Sequence, residues 1–244
     1  MKAAPQAQRR LLDLQAIDTA IAQLEHRRKA LPEHARIAEG QKTRAQLSES
    51  IVAASTVVGD LELDLQKAEA DLVPVRERLA RDQQRVDSGT VTDGKQLTAL
   101  IDEIEHLKRR ISDLEDIELE VMESHENAVA EHAQLVAERA EIEDSLRALI
   151  AARNEQVAVI DADLTQQRAA RESIAAELPA ELVALYGRIA ERNGGVGAGA
   201  LRGRRCGACQ LEATASALGA YQAAAADEVL RCEECDRILV REAA

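Results

Sequence analysis

The sequence predicts a mainly α protein, a long antiparallel coiled-coil hairpin followed by a small C-terminal β module. Three observations carry this. Apolar residues recur at alternating three- and four-residue steps along most of the chain. A cluster of turn residues, Asp87-Ser88-Gly89-Thr90-Val91-Thr92-Asp93-Gly94, lies at the midpoint of that pattern. The four cysteines fall near the end as Cys206-Gly-Ala-Cys209 and Cys232-Glu-Glu-Cys235, twenty-two residues apart. Composition agrees. Among 244 residues there is no Phe or Trp and there are two Tyr, while 46% are hydrophobic and 31% charged, the usage of long helices rather than of a large globular core.

The first run passes through Leu14, Ile17, Ile21 and Leu24, and the second through Leu47, Ile51, Ala54, Val58, Leu61, Leu65, Ala68, Leu72, Val75 and Leu79. The two are out of register, and Pro32 and Gly40 lie between them, so a bend is expected between Leu31 and Leu47. Pro74 predicts a kink held in place by the partner helix. At the turn Gly89 can take the left-handed position that closes the first arm, and Asp93 with Gln96 can form a capping box for the second.

The second arm repeats the seam through Leu97, Leu100, Ile104, Leu107, Ile111, Leu114, Val121, Ala128, Leu135, Ile142, Leu146 and Leu149. It resumes through Val157, Ile160, Leu164, Ile174 and Leu178 after a four-residue stutter near Arg153. Folding back at the turn places Leu79 near Ile104 and Leu72 near Ile111, with arms of about 75 to 80 residues. A long parallel dimer is the competing arrangement, and the glycine-bearing turn favours the hairpin. Leu178-Pro179 ends the arm. A short helix follows from Ala180 to Arg192 with Leu182, Leu185, Tyr186 and Ile189 on its apolar face, stopped by Asn193-Gly194-Gly195. Val196 to Leu201 reads as a weak strand ahead of Cys206, its glycines as flexible or edge-strand backbone. The expected division is a hairpin over 1–178, turning near 87–95, and a C-terminal part over 179–244 whose β module begins near 195.

Two C-x-x-C knuckles supply the tetrahedral sulfur shell that zinc prefers, so Cys206, Cys209, Cys232 and Cys235 are the candidate metal ligands. The strands expected at Glu228–Arg231 and Arg237–Val240 fit a zinc ribbon. An iron site of the rubredoxin sort and two independent redox pairs are the competing readings, and no thioredoxin-like βαβ pattern surrounds either pair. Four thiolates leave no open position for water or substrate, so one structural Zn2+ is expected, substituting for a core this small module cannot bury.

Other motifs carry less. Gly89-Thr-Val-Thr-Asp-Gly94-Lys95-Gln96 matches a phosphate loop except that Gln96 replaces the Ser or Thr needed for magnesium, and a helix rather than a strand precedes it. His125 and His132 share a seam face and set register. Arg27-Arg28-Lys29 and Lys108-Arg109-Arg110 read as ion-pairing surface positions. Arg202, Arg204 and Arg205 precede the first knuckle and, with Arg231, Arg237 and Arg241, form a candidate nucleic-acid patch. Seven acids in that segment, Glu212, Asp227, Glu228, Glu233, Glu234, Asp236 and Glu242, oppose those six arginines. Tyr221 alone offers an aromatic face for base stacking. No nucleophile, base and orienting group assemble, so no enzyme is expected.

The formal net charge of −13 argues against general affinity for polyanions. The N-terminus has no apolar signal region, and no stretch approaches a membrane span. With all thiols in ligand spacing, a cytoplasmic protein of a reducing compartment is expected.

The hairpin, the segment Gln96-Leu-Thr-Ala-Leu-Ile-Asp-Glu-Ile-Glu-His-Leu-Lys-Arg-Arg110, and the terminal Cys232-Glu-Glu-Cys235-Asp-Arg-Ile-Leu239 together resemble the bacterial coiled-coil proteins with a four-cysteine zinc ribbon. The resemblance spans essentially the whole chain. Asp236 stands where the family usually has Gly, and the alanine-rich run from Leu211 to Ala226 lacks the prolines expected between knuckles. It implies a regulatory adaptor whose protein partners belong to transcription or secretion machinery, with nucleic acid a further partner class and no small-molecule substrate. A purely structural scaffold with the ribbon as a cap is the alternative.

Overall fold

In the computed structural model residues 1–241 are described, and Glu242 lies outside them. The elements are α1 (Pro5–Lys29), α2 (Pro32–Asp87), α3 (Gly94–Ala176), α4 (Ala180–Arg192), β1 (Ala198–Arg202), β2 (Arg205–Cys206), α5 (Ala215–Ala223), β3 (Leu230–Arg231) and β4 (Ile238–Arg241). They form two units, one of Arg36–Leu149 and the other of Met1–Ala35 with the chain from Ile150 onward. Among the described residues no helix is long and apolar enough to cross a membrane.

The unit Arg36–Leu149 is a helical hairpin. Its seam buries Ile37, Ala68 and Leu72 with Ile104, Leu107, Leu114, Ala128 and Leu146, most of them positions that the heptad pattern marks. Ion pairs Arg78–Glu103 at 2.8 Å and Arg76–Glu115 at 2.7 Å bridge the arms in the register expected from Leu79 facing Ile104 and Leu72 facing Ile111. At the turn Gly89 has φ +64°, and Asp93 Oδ1 accepts from the amides of Lys95 (2.8 Å) and Gln96 (3.0 Å). This is a helix cap with no sheet beside it, so the phosphate-loop resemblance of Gly89–Gln96 is incidental.

One expectation about a helix break changes, that for Gly40. Helix α2 runs unbroken through Pro74 and through Gly40. Gly40 provides close approach rather than flexibility, since a Cβ there would lie 2.8 Å from Leu146 Cδ2. The break comes earlier, at Ala30 and Leu31, and Pro32 opens α2, where its missing amide proton costs nothing.

In the other unit, α1 and α4 pack on the sheet. Leu11, Leu14, Leu182, Tyr186 and Ile189 meet Ala198, Ile238 and Val240, while Leu31, Ile160 and Leu164 form a second buried cluster. The sheet order is β2-β1-β4-β3, with β1 and β4 parallel and the outer pairs antiparallel. The alternation of β4 divides its two faces. Ile238 and Val240 join the helical core, and Leu239 joins a cluster with Cys206, Cys232, Tyr221 and Leu230.

β1 is therefore an interior strand and not an edge, and the glycines just before and within it are packing devices. A Cβ on Gly197 would come 2.7 Å from the Tyr186 carbonyl oxygen, and one on Gly199 would meet Ala208 at 2.7 Å. The N-terminus adds an element the sequence did not announce. Ala3 N donates to Asp227 O (2.7 Å), Val229 N donates to Met1 O (3.1 Å), and Lys2 bridges to Glu228.

Candidate metal centre

The two cysteine pairs close by the same backbone device. Gln210 N donates to Cys206 O at 2.8 Å, and Asp236 N donates to Cys232 O at 2.9 Å. Cys206 N donates to Leu211 O and Cys232 N to Arg237 O, both at 2.9 Å. The residue after each second cysteine is left-handed, Gln210 at φ +64° and Asp236 at φ +58°. This explains the family's usual glycine at the position of Asp236, because αL is least costly for Gly and tolerable for Asp. Gly207 lets the first knuckle lie against β1, where its amide donates to Ala200 O at 2.7 Å.

The four sulfurs lie within 4.8 Å of one another, and all four thiols are free. Cys209 Sγ and Cys232 Sγ are 3.9 Å apart. A tetrahedron with zinc–sulfur bonds of about 2.3 Å requires sulfurs about 3.8 Å apart, so the donor set fits Zn2+. Burial, partly opposed by the Cys235 and Glu234 amides, pushes the Cys232 thiol up to about 12, and burial also raises Cys209. At Cys235 burial works upward too, but hydrogen bonds from the Arg237 backbone and side chain outweigh it and lower the thiol. Thiolates gathered at this spacing repel one another, and a divalent cation at their centre is what lets them coexist. Bound there, zinc supplies a cross-link and no open coordination position.

The supports around the knuckles are local. Glu233 accepts from the Thr214 amide at 2.8 Å, and Thr214 caps α5 through Ala217 N at 3.1 Å. Tyr221 Oη accepts from the Glu233 amide at 3.1 Å. The Tyr221 ring is packed into the cysteine cluster, so it offers no exposed face to a base.

The candidate arginines separate into two groups. Arg202 and Arg205 pair across the β1–β2 turn with Arg204 beside them, and all three are exposed, Arg205 lying 3.6 Å from Glu212. The others hold their own backbone. Arg237 donates to Val196 O (2.9 Å) and Asn193 O (3.0 Å), Arg231 to Asp236 O (3.1 Å), and Arg241 to Ala224 O (2.8 Å) and Ala225 O (2.6 Å). Their spacing in the sequence gave no sign of this.

Residues 205–239 match the C4-type zinc ribbon domain, which assigns one structural zinc to the module. Residues 14–194 match the CT398-like coiled coil hairpin domain. The chain belongs to the CT398-like coiled-coil hairpin family. Proteins similar to it include an uncharacterized protein of Mycobacterium tuberculosis, 38% identical over 99% of this chain and 98% of that one. An uncharacterized protein of Mycobacterium leprae is 31% identical over 91% of this chain and 95% of its own length. A solved structure from Mycobacterium smegmatis matches with TM-score 0.83 and 35% identity over 99% of this chain and 100% of that one. CT398 of Chlamydia trachomatis shares the fold, with TM-score 0.69 at 16% identity over 97% and 98% of the two chains.

Proposed function

We propose that this protein is a non-enzymatic, zinc-binding adaptor of the cytoplasm, with Cys206, Cys209, Cys232 and Cys235 holding the metal. In this reading the hairpin over 1–178 presents partner-binding faces, and the part over 179–244 docks components of the gene-expression machinery. The observation that carries it is the number of large apolar side chains left in solvent on α2 and α3, including Val52 (68% exposed), Leu63 (64%) and Leu119 (56%). A partner laid along the helices would take these side chains out of water. Cross-linking and recovery of partners from the native cell tests the reading: Leu63→Glu with Leu119→Glu should abolish specific recovery, and unchanged recovery would overturn it. Arg202, Arg204 and Arg205 are the candidates for a nucleic-acid contact. Their joint change to Ala should weaken binding and flatten its salt dependence in a filter-binding series, and no loss would remove nucleic acid from the proposal.

A second reading, a scaffold in which the ribbon is only a cap, is favoured by the backbone bonds that tie Met1 and Ala3 to Val229 and Asp227. If Cys206→Ser releases zinc while every partner stays bound, the ribbon is a cap.

A further inference from the structure

We propose that a cavity at the break between α1 and α2 binds a small, multiply charged phosphate-bearing anion. The cavity measures about 600 Å³, within the range of small-molecule sites, and it lies wholly inside the unit that contains the sheet. Four cations line it. Arg28 and Lys29 come from the last turn of α1, and Arg153 and Arg168 come from α3. The first pair alone would be explained by the helix dipole, which favours cations at a C-terminus. The second pair, well inside α3, has no such explanation.

The charges are incompletely neutralised. Arg168 meets Glu25 at 2.9 Å, and Arg28 meets Asp161 at 3.3 Å. Arg153 donates to the neutral Asn154 side chain at 2.8 Å, and among the described residues no acid lies within ion-pair distance of Lys29. Glu25 is the acid in the lining. Glu33, next to His34, accepts from Gln156 at 3.0 Å and does not line the cavity. In a chain of net charge −13, a concave site with this excess of cations is a local reversal of field. Its wall is firm, since Val157 packs on the buried Leu31, Ile160 and Leu164 cluster. The aliphatic stems of Arg and Lys supply apolar wall beside their charged heads, and several cations lining one cavity suit phosphate oxygens better than a lone carboxylate.

Titration calorimetry of the zinc-loaded full chain with inorganic tripolyphosphate tests this at constant ionic strength. Saturable one-to-one binding is expected, weakened roughly ten-fold by each of Lys29→Gln and Arg153→Gln, with helix content and zinc content unchanged. Arg109→Gln with Arg110→Gln, on the hairpin unit, should leave affinity unchanged. Absence of saturable binding, an equal loss in the control pair, or binding confined to a long polyanion such as poly(U) would each overturn the site.

Discussion

Gln15 Oε1 accepts the Gly197 amide at 2.6 Å, which fixes the entry of β1 to the first helix. The same oxygen receives Ala198 N (3.2 Å), and Gln15 Nε2 donates to Gly195 O (3.1 Å). A single buried amide thereby satisfies backbone groups at the point where the chain passes from α4 into the sheet. Gln15→Leu keeps the volume and strands those groups, so it should cost about 2 to 4 kcal/mol. Urea denaturation of the two proteins measures it, and a loss under 1 kcal/mol would show that water replaces the amide.

The two faces of β4 lead to a second expectation. Leu239 belongs to the cysteine cluster, whereas Ile238 and Val240 are held by the helices. Metal removal by a chelator, or Cys232→Ser, should therefore release hydrogen-exchange protection in the knuckles and α5 while β1 and β4 stay protected. Far-UV circular dichroism should change little, because α5 has 9 residues against 56 in α2 and 83 in α3. Uniform loss of protection across the sheet would refute this division.

The long helices and the metal site were legible because each rests on a periodic or spaced signal: the heptad steps of Leu72 and Ile104, and the C-x-x-C pairs. What escaped had no such period. The helix Ala215–Ala223 is nearly all small residues, so it carries no amphipathic stripe, and its Thr214 cap becomes a signal only once Glu233 is seen to hold the Thr214 amide. Gln15 and Met1 act through partners some 180 residues or more away, which spacing along the chain cannot reveal. Arg237 and Arg241 look like surface cations in sequence, yet the fold turns their guanidinium groups onto carbonyls of their own chain.

Two glycines should respond oppositely to the same change. Gly59 lies within α2 with nothing within 4 Å of an added Cβ, so Gly59→Ala should stabilise by about 1 kcal/mol through helix propensity and a less flexible unfolded chain. Gly197→Ala would drive a methyl into the Tyr186 backbone and ring at 2.7 Å and should cost about 1 to 3 kcal/mol. Paired denaturant melts read both, and a stabilising Gly197→Ala would mean that α4 shifts freely against β1.

Tyr186 gives the alkaline limit of the fold. Burial first, and then donation to Asp18 Oδ2 at 2.7 Å, raise its phenol well above the ordinary value of 10. The neutral form is the one the fold prefers. Its contribution to stability is thus fully present below the unfolded value near 10 and is lost as pH climbs above it. Tyrosinate absorbance is readable because the chain has no Trp and two Tyr. The Tyr186 component should appear above pH 10 and together with unfolding, and Tyr186→Phe should remove it and flatten the alkaline loss of stability. A component that Tyr186→Phe abolishes yet titrates near 10 in the folded protein would contradict the buried hydrogen bond.

The paired left-handed residues that close the knuckles give the last expectation. Gln210 occupies φ +64° with a long side chain, and Asp236 occupies φ +58° with a short one whose carboxylate pairs with Arg231. Glycine removes the steric cost of αL, which is about 1 kcal/mol or somewhat more for a residue with a Cβ. Gln210→Gly should therefore stabilise the zinc-loaded ribbon by about 1 kcal/mol, less whatever the Gln210 side-chain bond to Gly207 O at 2.8 Å contributes. Asp236→Gly should gain less, since Asp tolerates αL better and its ion pair is lost. A β-branched residue meets the largest αL penalty, so Gln210→Val should weaken zinc retention against a competing chelator while Gln210→Gly strengthens it. Equal retention by the two variants would show that the metal, rather than the backbone conformation, dictates how each knuckle closes.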